Sequence, residues 1–350
     1  MFLKNIFLSY NPKQLQWVNY AKAITIILIV YRHTLTGLLG AGIYVNPYFV
    51  LANDAVLSFR MPLFMMLSGI FFSSSFRKRT YSGYVGNKIS TILYPYIVWA
   101  SIQLLIQIIL STYTNSVRSF FDFTYLVTHP RALDQFWFLY ALFFITIFHS
   151  LLNYLLKCPK WVYVAIGLFL FGFVPYVEKI DFSFLLFYFY VFYALGDFFA
   201  KHLLDPKSAD LWGSVGLLII FFPLFFSIQY YWVINLDNNL NKFVVLIIGL
   251  IGSAFVLIIC HLLDKYKLAK WLISIGQHSM PIYLMHVLVV AGVRVVLQNI
   301  FSITSPKISL PLSLILGIIL PMIAYNIMLK KNMWWLFSLE KKTIIKNDKK

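Results

Sequence analysis

Apolar runs of about 20 residues recur from one end of the chain to the other, separated by short polar segments that hold most of its lysines and arginines. A helix needs about that length to cross a hydrocarbon core. The pattern predicts spans at roughly 17–43, 47–73, 86–112, 135–156, 161–177, 182–201, 211–233, 242–263, 271–298 and 309–330. The chain therefore reads as an all-α integral membrane protein of about ten transmembrane helices. Its polar gaps are too short to fold alone. One membrane domain, 17–330, is expected between an N-terminal segment 1–16 and a basic tail 331–350. The longest connection, near 113–134, is rich in phenylalanine and suggests a segment that lies at the membrane interface or folds back. LDNNLN near 236–241 reads as a polar turn, and no heptad, repeat or low-complexity tract appears beyond the basic tail.

Composition supports this reading, with 61% hydrophobic and only 12% charged residues among 350. The net charge of +17 could point to nucleic acid, but its placement points to topology instead. One set of alternate loops holds Arg77, Lys78 and Arg79, then Lys157 and Lys160, then Lys201 and Lys207, then Lys265, Lys267 and Lys270, and finally the lysine tail. The other set holds only the scattered Arg118, Arg131, Lys179, Lys242 and Lys307. This asymmetry predicts both termini in the cytoplasm. Cys158 and Cys260 fall at expected cytoplasmic span ends and read as free thiols. The opening residues lack a secretory cleavage pattern, so the first span is expected to stay as an anchor.

The first span, WVNYAKAITIILIVYRHTLT, carries Lys22, Arg32 and His33. At about 100° and 1.5 Å per residue, Lys22 and His33 differ by about 20° in direction and about 16 Å in height. They share a face, with Asn19 close to it, and such a stripe should look into the protein or a wet cavity. Lys22 could instead snorkel to the membrane surface, and His33 could simply bond a neighbouring helix. Arg32 points about 100° from His33, which suggests a different interface.

Arg60 lies midway along the second span, and its nearest carboxylate, Asp54, is turned about 120° away on a continuous helix. Bracing and substrate contact are both open for it. Ser68-Gly69 suggests close helix packing. Lys88, with Arg77, Lys78 and Arg79, makes a basic patch that serves either as an orientation signal or as a seat for a phosphate-bearing donor. Trp137 reads as an interfacial anchor. SIGQHSMPIYLMH places Tyr283 and His286 inside the ninth span, with Pro281 expected to interrupt the helix. His286 is either a core hydrogen-bonding group or a site residue; His129, His149, His202 and His261 are assigned no chemistry. There is no HExxH, GxxxxGK[ST], GxSxG or CxxC, and no metal site is indicated. A buried histidine without a metal set suggests base chemistry on a hydroxyl or a proton-linked transport step.

WVNYAKAITIILIVYRH resembles the first helix of the acyltransferase family 3 membrane proteins, in which an Arg or Lys precedes a His by ten intervening residues; Lys22 and His33 fit it. SFRMPLFMMLSG resembles the second helix of the fucose 4-O-acetylase-like branch, and KISTILYPY, FWFL, YALGDFF and SIGQHSMPIYLMH follow in the family's order. Arg60 stands where that branch usually has His, and Thr91 where many members have a second Arg after Lys88. No SGNH hydrolase-like domain of the kind fused to some relatives is seen, so the transfer would be finished by the membrane domain or by a separate partner.

The resemblance implies an O-acyltransferase that moves an acyl group, usually acetyl from cytosolic acetyl-CoA, to a sugar hydroxyl of a cell-surface or lipid-linked polysaccharide. It also implies a multi-pass location in a bacterial cytoplasmic membrane, with lipids, a glycan acceptor and polysaccharide biosynthesis proteins as partners and no nucleic acid. In that reading His33 is the base or an acylated relay, Lys22 and Lys88 receive the donor, and Arg60, Tyr283 or His286 orient the acceptor or stabilise the oxyanion. A polysaccharide exporter or flippase without acyl chemistry is the alternative. A membrane sensor would need a ligand-binding or signalling domain that the sequence does not show.

Overall fold

The computed structural model describes residues 15–236, 238 and 240–340. Most of segment 1–16, part of the LDNNLN turn and the lysine-rich residues 341–350 lie outside the described residues. In chain order the helices are α1 (Gln16–Gly40), α2 (Pro47–Ala55), α3 (Leu57–Ile70), α4 (Phe72–Phe76), α5 (Tyr81–Lys88) and, after a π turn at Ile89–Leu93, α6 (Tyr94–Ile109). Then come α7 (Trp137–Leu156), α8 (Lys160–Gly172), α9 (Val174–Val177), α10 (Asp181–Leu203), α11 (Pro206–Trp212) and α12 (Val215–Ile234). The series closes with α13 (Lys242–Lys265), α14 (Trp271–Gln277), α15 (Ser279–Asn299) and α16 (Pro306–Lys330). Among the described residues there is no strand, and nine helical stretches are long and apolar enough to cross a membrane.

The expected span at 161–177 is the shorter one. α8 runs 13 residues and breaks at Phe173, just before Pro175 in the first turn of α9. Other expected spans are also jointed. The second is α2, opened by Asn46 accepting from Tyr48 N–H, then a break at Val56, then α3 and α4. Pro62 stays inside α3. The ninth breaks at His278, three residues before Pro281, because a proline in the first turn of α15 has no intrahelical donor to lose. The π turn precedes Pro95, which lies in the first turn of α6.

Tertiary bonds show which helix ends lie together. At one end Trp17 N–H donates to Asp264, Lys160 pairs with Asp197, and Trp99 Nε1 donates to Leu336 O. This is the end with Arg77, Lys78, Arg79, Lys157 and Lys265, called the basic end below. At the opposite end Asn115 donates to Gly37 O, Arg131 pairs with Asp181, and Trp232 Nε1 donates to Asp54 O. The described chain begins and ends at the basic end, where residues 333–337 pack against α6 and α16.

α1 is the central helix, in contact with α3, α13, α14, α15 and α16. Backbones approach closely at glycines. A Cβ on Gly69 of α3 would collide with the Tyr193 carbonyl of α10, and one on Gly196 with the Met66 carbonyl of α3. Gly276 of α14 sits against the backbone of Asn19 in α1 in the same way. Without a hydrophobic force between helices in lipid, such contacts are what close packing supplies. α12 is different: only Gln229 of it is buried, and it lies along the outside against α13 and α2.

Candidate active site

Two interior cavities flank Tyr283. The larger, about 680 Å³, reaches the connection at the opposite end and is lined by His33, Arg32, Arg60, Gln135, Trp137 and Trp232 among others. The smaller, about 280 Å³, is lined by Lys22, Lys88, Ser68, Thr146, Tyr193 and Ser279. Tyr283 borders both. Its hydroxyl donates to the Gln135 carbonyl, and Phe138 packs on its ring at 5.7 Å. The stripe on α1 therefore spans a partition: Lys22 opens to one chamber and His33 to the other.

His33 is half-buried, and its ring lies 5.1 Å, edge to face, from that of His286 on α15. His286 is fully buried, with Nδ1 3.0 Å from the Ile282 carbonyl and 2.8 Å from that of Tyr283. Carbonyls only accept, so Nδ1 carries the hydrogen and Nε2 is left as a lone pair. That Nε2 has no hydrogen-bond partner among the described residues. The pair thus offers a cavity-facing imidazole backed by a second one whose tautomer is fixed.

Lys22 turns inward rather than out to the membrane surface, and makes no hydrogen bond or ion pair among the described residues. Lys88 shares its chamber, with Nζ 5.1 Å over the Tyr84 ring. With no carboxylate in the lining of this chamber, the two ammonium groups fit an anionic or carbonyl-bearing group. Tyr283, by contrast, has its hydroxyl hydrogen committed to Gln135 and is not held free for an oxyanion.

Arg60 is 2% exposed, and its partner is not Asp54 directly but Asn53, whose Oδ1 accepts from Nη1 at 3.0 Å. Asn53 Nδ2 in turn donates to Asp54 Oδ1 at 3.0 Å. The break at Val56 gives this chain of bonds its geometry. Arg32 corrects the sequence reading: it lines the same cavity as His33, because a space this wide takes in side chains about 100° apart on one helix. Trp137 likewise forms cavity wall, packed on Phe189 at 5.4 Å.

His149, assigned no chemistry from the sequence, is fully buried within α7. Its Nδ1 is 3.0 Å from the Tyr190 hydroxyl, and its Nε2 3.6 Å from Asp197 Oδ2. Asp197 also accepts from Lys160 Nζ at 2.8 Å and Ser73 Oγ at 2.6 Å. This cluster ties α4, α7, α8 and α10 together at the basic end, outside either cavity lining. His261 is stacked on Trp17 at 4.7 Å, a packing role. Among the described residues no three His, Cys, Asp or Glu side chains gather as a metal set.

These features define a polytopic, all-helical membrane protein with a histidine at an internal chamber. A family model described as an acyltransferase domain, acyltransferase 3, matches residues 15–326, and the chain belongs to that family. It is similar to the nodulation protein NolL of Mesorhizobium japonicum, 29% identical over 186 residues that cover 52% of this chain and 47% of the relative. NolL of Sinorhizobium fredii is 29% identical over 207 residues, 55% of this chain and 50% of the relative. The chain spans about half the length of these curated relatives. No solved structure matches it.

Proposed function

We propose that the protein transfers an acyl group, acetyl in the simplest case, from a cytosolic acyl-CoA to a sugar hydroxyl of a cell-surface or lipid-linked polysaccharide. The observation that carries this reading is the arrangement along α1. Lys22 and His33 lie on one face yet serve two chambers that meet at Tyr283. With the basic end in the cytoplasm of a bacterial cell, the donor's phosphates stay near Lys88 and Arg77–Arg79, and its thioester arm enters beside Lys22. The smaller chamber suits an arm rather than a whole nucleotide.

The acceptor enters from the other side. His33 takes the hydroxyl proton as the oxygen attacks the thioester carbon; the tetrahedral intermediate then collapses, the C–S bond breaks, and the thiolate leaves and is reprotonated. His286 holds the His33 ring from behind. A side-chain rotation at Tyr283 joins the chambers for the transfer. An exporter needs a continuous path wide enough for a glycan, and the partition at Tyr283 offers no support for one.

The test is mass analysis of O-acyl groups on the host's surface glycans for wild type, deletion and His33→Ala, at matched protein levels. Loss of about 10²-fold or more in acylation is expected with His33→Ala. Acylation that disappears on deletion yet persists with His33→Ala would overturn the assignment of the base.

A further inference from the structure

The larger cavity holds three arginines, and only one of them is fully engaged. Arg131 Nε donates to Asp181 Oδ1 at 2.5 Å, Nη2 to Glu178 O at 2.8 Å, and the ring of Phe184 lies 4.6 Å beneath. Arg60 makes one bond, to a neutral amide oxygen on Asn53. The Arg32 guanidinium makes no hydrogen bond or ion pair among the described residues.

The carboxylates nearby do not pair with Arg32 or Arg60. Asp134 accepts from Gln103 at 2.8 Å and Gln107 at 3.0 Å. Asp54 lies close enough for its charge to act on both Arg32 and Arg60, but it forms no ion pair with either and meets Arg60 through Asn53, so one carboxylate stands against two guanidinium groups. Two guanidinium forks therefore face a chamber with their donors largely unmatched, and a planar fork is the geometry that takes carboxylate or phosphate oxygens in pairs. The same wall presents Trp137, Trp232 and Tyr188, flat faces of the kind that cover sugar rings.

We propose that Arg32 and Arg60 form an anion seat in the acceptor half of the site, so that the acceptor is a sugar bearing an anionic group close to the hydroxyl acylated at His33. The anion is either the carboxylate of an acidic sugar or the phosphate joining a sugar to its carrier; both present paired oxygens to which a fork donates. This rests on the acyl-transfer reading for its direction, since it assigns the larger chamber to the acceptor and leaves Lys22 and Lys88 to the donor. It also explains the presence of Arg60 at a position where the resembled branch carries a histidine: a fixed positive charge there selects for acceptor charge.

The test is equilibrium binding of glucose, glucuronate and glucose 1-phosphate to the full chain in lipid nanodiscs at constant ionic strength. Wild type is expected to bind at least one of the anionic probes about tenfold or more tightly than glucose. Preference for glucuronate identifies an acidic sugar, and preference for glucose 1-phosphate a phosphate link. Arg32→Gln, at a half-buried position with no protein partner to lose, is expected to abolish that preference while acyl-CoA binding stays within about twofold. Arg60→Gln should act the same way; if it does not fold, Arg32→Gln decides.

Equal binding of all three probes by wild type would overturn the proposal. So would an anion preference that survives Arg32→Gln, or a loss of acyl-CoA affinity in that variant, which would make the chamber the donor's. His33→Ala separates the two readings, because it should abolish transfer and keep the anion preference. Transfer that survives His33→Ala would sink the base assignment while leaving the anion result to stand or fall by itself.

Discussion

Gly276→Ala tests whether the first helix is held where its lysine can work. A Cβ at that position would stand 2.6 Å from the carbonyl carbon of Asn19 and 2.8 Å from its Cα, with the carbonyl oxygen nearer still. Carbon atoms rest at about 3.5–4.0 Å, so α1 and α14 must part by about 1 Å. The obstacle is backbone, which no side-chain rotation relieves, and overpacking of this kind costs about 1–3 kcal/mol. Lys22 lies one turn beyond Asn19 and moves with it. Misplacement by about 1 Å can cost about 10²-fold in rate.

The assay pairs thermal unfolding in detergent with single-turnover acyl transfer. Gly37→Ala is the control in the same helix, since a Cβ there meets nothing within 4 Å. It should be neutral or stabilising by up to about 1 kcal/mol. If Gly276→Ala melts with wild type and transfers at the wild-type rate, the α1–α14 contact is not as close as described and the placement of Lys22 loses its support.

Two further outcomes concern charge and topology. Asp197→Ala removes the acceptor shared by Lys160 and Ser73, with His149 beside it, from a 1% exposed site, and should cost about 3 kcal/mol in thermal stability; Lys242→Ala breaks the Lys242–Glu178 pair, with side chains 34% and 47% exposed, and should cost about 1 kcal/mol or less. Equal melting shifts would refute that ranking. Cys158 is partly exposed at the basic end while Cys260 is buried, so a membrane-impermeant maleimide should label only Cys158, and only after the membrane is opened; labelling of intact cells would invert the topology.

The spans were legible because hydrocarbon demands long apolar runs, and the boundaries held to within a few residues wherever a single helix crosses. The joints were less legible. Pro281 signals a break, but its place in the first turn moves the break to His278, and nothing in the local pattern marks the hinge at Val56 that lets Asn53 reach Arg60. The common face of Lys22 and His33 follows from helix geometry alone, whereas the wall dividing their chambers comes from α15 and the segment before α7, far away in sequence. The rotation that turns Arg32 about 100° from His33 measures direction on one helix and not the width of the space in front of it. His149 and Asp197 lie on different helices and declare themselves only when α7 and α10 pack. Pairings between helices carry no local periodicity.

The partition at Tyr283 has a consequence for the cell as well as for the reaction. Two chambers that meet inside a membrane protein would, on the proposed reading that they are entered from opposite faces, become a leak for protons and ions if joined. One phenol ring, held by its hydroxyl on the Gln135 carbonyl and by Phe138 against its face, is where the chambers meet and where that seal is made. In the proposed reaction the residue that yields for the acyl group is also the one that preserves the membrane's electrical insulation, so each opening should be brief and filled by the substrates themselves.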